Sequence, residues 1–147
     1  MANLIPNSFK QMLLKGNIAA AADTFNIILM QSGFIFDRNA HHAYADISAS
    51  EIATAYGYTT GGAVLAGIAL SIDTTNNLAK ITWTDAQWNA TGGTIAASGA
   101  IIYDDSTTTV SGHDYTDAIV AYIDAGGTVL AVDGTPMLVQ NLIVEIS

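Results

Sequence analysis

The sequence predicts a mainly β domain, an antiparallel β-sandwich or barrel of about seven short strands with a short N-terminal helix and one capped helical turn. Short runs of β-branched and large apolar residues recur along the chain, as in FNIILM (Phe25–Met30) and VLAGIALSI (Val64–Ile72). Polar turns such as DTTNN (Asp73–Asn77) and DGTP separate them. Helix signals are confined to two short segments. With 147 residues and no break in composition, a single domain over 1–147 is expected.

The N-terminal helix is predicted over about 8–16. Asn7 or Ser8 has the side-chain oxygen that caps first-turn N–H groups. Phe9, Met12 and Leu13 share one face, and Gly16 is placed to end the helix in a left-handed conformation. Phe25–Met30 is read as a buried strand. Val64–Ile72 is read as a second strand with a bulge at Gly67, hairpinned through DTTNN to LAKITWT (Leu78–Thr84) with Ile81 and Trp83 inward. Further strands are expected in TIAASGAIIYDD, through Ile101 to Tyr103, and in DAIVAYIDAGG (Asp117–Gly127), where Ile119, Ala121 and Ile123 alternate with Val120, Tyr122 and Asp124. Gly61-Gly62, Gly92-Gly93 and Gly126-Gly127 are read as turn glycines. The pair TVLAV and MLVQNLIVEI around Asp133-Gly134 is read as a hairpin, because Asp-Gly permits the positive φ of a tight turn.

Charge narrows the function. Charged residues are 12% of the chain, against about 25% in typical soluble domains. The four cations are Lys10, Lys15, Arg38 and Lys80, against 13 acids, for a net charge of −9. Such a chain has little with which to neutralise phosphates, so nucleic acid is not an expected partner. The longest apolar run, Ala63–Leu70, has eight residues, far below the roughly 18–20 of a membrane span, and MANLIPNSFKQ lacks the layout of a secretion signal. Without cysteine there are no disulfides, thiolate metal sites or cysteine nucleophiles. A surface so poor in charge suits a subunit packed among other chains; a monomer from an organism with an acidic proteome is the competing reading.

The stretch HHAYADISASEIATAYGYTTGG (41–62) invites a metal or catalytic reading. Ser48 and Glu51, however, have the S-x-x-E spacing of a capping box, with Asp46 as an alternative or additional cap, and a helical turn from Ala49 to Ala55 is expected to stop near Gly57. GYTTGG, with Gly57, Gly61 and Gly62, reads as a backbone-shape motif. Adjacent histidines point apart in a strand and diverge by about 100° on a helix, so His41 and His42 are read as structural rather than as a ligand pair. The loop Asp104–Asp117 does not follow EF-hand spacing, so calcium there is the weaker alternative to exposed aspartates. No nucleophile elbow or phosphate loop is present. No cofactor, no metal and no catalytic residue is expected.

The order of NSFKQMLLKG, FNIILMQSGFIFD, HHAYADISASEI, GYTTGG, ITWTDAQW, SGAIIYDD and IVAYIDAGG resembles a group of small tailed-bacteriophage virion structural proteins, over about Asn7 to Gly127. The HH-x-x-x-D-I pattern followed by GYTTGG is its most specific part. Some members are similar to head-decoration, cement or head-fibre proteins. The resemblance implies a non-enzymatic capsid decoration protein, a homo-oligomer that binds the major capsid protein or other virion proteins, involving neither nucleic acid nor membrane. It would be made in the host cytoplasm and end on the capsid exterior. Phe9, Lys10 and Lys15 are the expected partner-facing residues. A tail, neck or fibre-base component is the alternative. A displayed carbohydrate-binding module, with Trp83, Trp88, Tyr56 and Tyr58 as stacking platform, is a third reading.

Overall fold

The computed structural model describes residues 2–108 and 112–147. It is an all-antiparallel β fold with two short helices, as predicted, but with ten strands among the described residues rather than about seven. In chain order these are β1 (Ala2–Leu4), α1 (Asn7–Lys15), β2 (Phe25–Met30), α2 (Tyr44–Ile47), β3 (Ala63–Val64), β4 (Ala69–Asp73), β5 (Leu78–Thr82), β6 (Ala86–Asn89), β7 (Ile95–Asp104), β8 (Ala118–Ala131), β9 (Pro136–Val139) and β10 (Ile143–Ile146). A five-stranded sheet runs β1-β8-β7-β2-β3; a three-stranded sheet runs β10-β5-β4; β6 pairs with β9.

The central strands of the large sheet are buried on both faces, which is why FNIILM and GAIIY read as continuous apolar runs. On one face Ile27, Leu29, Ala100, Ile102 and Val120 pack with Phe9 and Met12 of α1 and with Ile81, Trp83, Trp88 and Val144 of the smaller sheets. On the other, Ile28, Met30, Ile101 and Ile119 lie under Phe36 and Ile47. The alternation expected in β8 fails at a bulge: Ile102 pairs with Ala121 and Tyr103 with Ile119, so Val120 and Ala121 both serve the first face.

Four further expectations need correction. Neither Asn7 nor Ser8 caps α1. Pro6 takes the cap position, and the Asn7 N–H is bonded at 3.2 Å to the carbonyl of Arg38 instead. Val64–Ile72 is not one strand, because Gly67 (φ +66) turns the chain from β3 in the large sheet to β4 in the small one. β8 runs straight through Gly126-Gly127, since four of its residues (Ala125–Thr128) bulge out opposite Ser98 alone. The Asp133-Gly134 turn forms, yet it closes no hairpin: β8 stays with β7, β9 crosses to β6, and Asn141 (φ +55) splits the last segment so that β10 joins β5. The hairpin through DTTNN is present, with Asp73 accepting from the Thr75 and Asn76 N–H groups and with Ile81 and Trp83 buried. Gly16 ends α1 at φ +74, as its position predicts.

Candidate functional site

Glu51 occupies the centre of the 41–62 stretch, and it does not cap a helix. After α2 a single 3-10 turn covers Ser48–Ser50, and the expected helical turn over Ala49–Ala55 is absent. The Glu51 carboxylate is buried and accepts from Tyr44 Oη and Tyr58 Oη, both at 2.5 Å, and from the Gly61 N–H at 2.7 Å. Ser48 Oγ is left near the Ala45 carbonyl at 3.4 Å. The Tyr58 hydroxyl also accepts from the Leu29 N–H at 3.1 Å, which ties the knot to β2. Burial and the adjoining carboxylate drive both phenols far above their ordinary range, so they stay protonated donors. Asp46 does not cap a turn over 49–55 as expected; it lies at the third position of α2, and its Oδ2 reaches back to accept from the His42 and Ala43 N–H groups at 2.9 and 3.0 Å. Partial burial works against ionisation of Asp46, but those two donors outweigh it and hold the carboxyl below its usual range.

GYTTGG is a shape motif for a spatial reason. A Cβ on Gly57 would sit 2.1 Å from the Asn89 carbonyl oxygen, and one on Gly62 would sit 1.9 Å from that of Ile27. Gly61 faces open space and is needed for its φ of +96 alone.

The histidines separate. His41 stacks on Phe34 and its Nδ1 accepts from the Asp37 N–H at 3.1 Å; His42 stacks on Tyr115. Among the described residues no three ligating side chains converge on a metal position. The Asp104–Asp117 loop lies partly outside the described residues, at 109–111. What is described there is a carboxyl pair. Asp104 is fully buried, and its Oδ1 accepts from the Ser106 N–H at 2.9 Å. Burial, opposed by that donor but reinforced by the neighbouring Asp23 carboxyl and by Asp105, pushes the Asp104 carboxyl up to about 7.

That shift gives a pH dependence. A carboxyl whose folded-state pKa exceeds its unfolded value favours the fold fully below about 4, and this contribution falls away as pH rises through 7. In Asp104→Asn the amide keeps an oxygen to accept from the Ser106 N–H without the charge. The variant is expected to match the wild type near pH 4 and to exceed it by on the order of 2 kcal/mol above pH 7, measured by urea midpoints across that range. A gap that does not change with pH would refute the assignment.

The aromatic platform does not exist as a surface. Trp83, Trp88 and Tyr58 are buried, and only Tyr56 is half-exposed, its ring covering Gly93. Phe9 has no exposed surface, which removes it from the partner-facing set. The stripe Phe9–Met12 seats α1 on its own sheet. Lys10 and Lys15 are exposed; Lys15 Nζ lies 2.9 Å from Asp114, and Lys10 makes no ion pair among the described residues.

A different feature stands beside Lys10. The inner face of the small sheet extends past the core as Leu70, Ile72, Ala79 and Ile146, and with Leu13 and Ala20 it walls an open groove of about 480 Å³. Leu14, 91% exposed, flanks it, and Ile72 is 78% exposed. β4 is the outer strand of its sheet and four of its five residues are exposed. A second apolar region lies at the C-terminal end of β8, with Val129, Leu130 and Val132 exposed, and Leu138 of β9 nearby. The residues were not foreseen as surface, because VLAGIALSI and TVLAV have the composition of core strands. Only the absence of a covering element exposes them. No protein-family model, no curated protein and no solved structure matches the chain.

Proposed function

We propose that the chain is a structural subunit of a tailed-phage virion, a non-enzymatic capsid decoration or cement protein that binds the assembled shell and stabilises it through packing contacts. One observation supports this most: the chain exposes an apolar groove and, among the described residues, a free strand edge, on a chain with only four cations. Contiguous exposed apolar area is the mark of a surface that is covered in use. The cores of stable interfaces are likewise depleted in charge. Several polar groups serve internal hydrogen bonds: Glu51 holds two tyrosines, Asp46 accepts from the His42 and Ala43 N–H groups, and the buried Asp104 accepts from the Ser106 N–H. On the shell such a subunit adds contact area between neighbours, and its acidic exterior keeps particles apart.

Copy number tests the reading. On a stained gel of purified particles, the band intensity relative to the major capsid protein is expected to correspond to hundreds of copies. A handful of copies moves the chain to the tail or neck; absence from particles refutes a virion role.

A further inference from the structure

We propose that β4 and the groove beside it receive the C-terminal end of β8 from a second copy, head to tail, with Leu130 and Val132 of one chain lying beside Leu70 and Ile72 of the next. The proposal builds on the subunit reading and names the partner for one of its surfaces.

Both surfaces are unpaired strand edges. β4 has β5 on one side and, among the described residues, no strand on the other. β8 has β7 on one side except at the bulge over 125–128, but its second neighbour, β1, covers only Tyr122–Asp124, so Val129–Ala131 has one edge free among the described residues. Each edge carries exposed apolar side chains two residues apart, Leu70 and Ile72 on β4, Leu130 and Val132 at the end of β8. Residues spaced by two share a face, so strand addition would set the two pairs side by side over the groove. An apolar edge free of proline is what folds normally cover or blunt, and Leu70, Ile72 and Leu130 stand on such edges.

Charge favours this pairing over that of two β8 ends. Around the groove, Lys80 is bonded to Asp73 and Glu145 and Lys15 to Asp114, while Lys10 has no ion pair among the described residues. Three lysines thus stand against three acids, and the groove region is neutral. Arg38 is left against the other ten acids of the chain. The β8 end has Asp124 and Asp133 beside it, and no cation follows Lys80 in the sequence. An acidic end approaching a neutral groove flanked by Lys10 meets attraction; two acidic ends approaching each other meet repulsion. A contact between two different patches repeats around a ring or along a filament rather than stopping at a symmetric dimer.

The test is complementation. Ile72→Asp removes the receiving surface and Leu130→Asp the inserted one; both sites are exposed, so both variants are expected to stay folded, with melting transitions that no longer depend on concentration. Each variant alone is expected to sediment as a 15.3 kDa monomer. Mixed one to one, they are expected to form a pair of twice that mass and nothing larger, because one intact groove and one intact end remain between them. A mixture that stays monomeric, or a single variant that keeps the wild-type mass, overturns the proposal. Leu70→Asp and Val132→Asp replace the first pair if either misfolds. Failure here leaves the virion reading standing, since copy number in particles tests that separately.

Discussion

Glu51→Ala is expected to lose about 3–5 kcal/mol of stability, a large share of the 5–15 kcal/mol that holds a domain together. The loss does not come from a helix cap. The substitution strands two phenol donors and the Gly61 N–H in a region where the carboxylate itself is only 4% exposed. An unsatisfied buried donor costs about 1–3 kcal/mol, and solvent entering the gap recovers part of the total. Tyr58→Phe removes one of the three donors and also deprives the Leu29 N–H of its acceptor, so about 1–3 kcal/mol is expected for it. Urea unfolding of the two variants gives the comparison through their midpoints at unchanged slope. A Glu51→Ala chain as stable as the wild type would mean that the carboxylate does not organise residues 44–61.

Gly62→Ala is expected to be worse, with more than about 4 kcal/mol lost and little soluble protein. The added methyl would lie 1.9 Å from the Ile27 carbonyl oxygen and 2.7 Å from its carbon, and Ile27 belongs to β2, a strand held between two neighbours. Main chain in the middle of a sheet has nowhere to move. The backbone there also has φ +71, which disfavours any side chain. Gly61→Ala is the control. It shares the positive φ but meets nothing within 4 Å, so only the conformational cost of about 1–3 kcal/mol is expected. Soluble yield and melting temperature of the neighbouring pair separate steric exclusion from backbone preference. Equal effects at 61 and 62 would refute the close approach.

Local signals were legible where local physics decides. The apolar runs of β2 and β7, the Asp73 turn, the inward pair Ile81 and Trp83, and the left-handed stop at Gly16 all follow from a few consecutive residues. Partner choice was not legible. DGTP has hairpin chemistry and makes its turn, yet β9 pairs with β6 because Trp88 and Met137, directly opposite each other, both go into the core. Glu51 matched the spacing of a capping box, but its partners lie seven residues before, seven after and ten after, which no helical pattern encodes. The groove was illegible for a third reason. Leu70 and Ile72 have the composition of buried strand residues, and their exposure depends on what the rest of the chain fails to cover.

The claim on which the account turns is that these uncovered apolar surfaces exist to be covered by copies and neighbours. The mass of the dissolved wild-type chain, followed by light scattering as concentration rises, tests it most directly. A mass that climbs above 15.3 kDa with concentration, to a fixed multiple for a ring or without limit for a filament, is the expected result. A mass that stays at the single-chain value to the highest soluble concentration would contradict it.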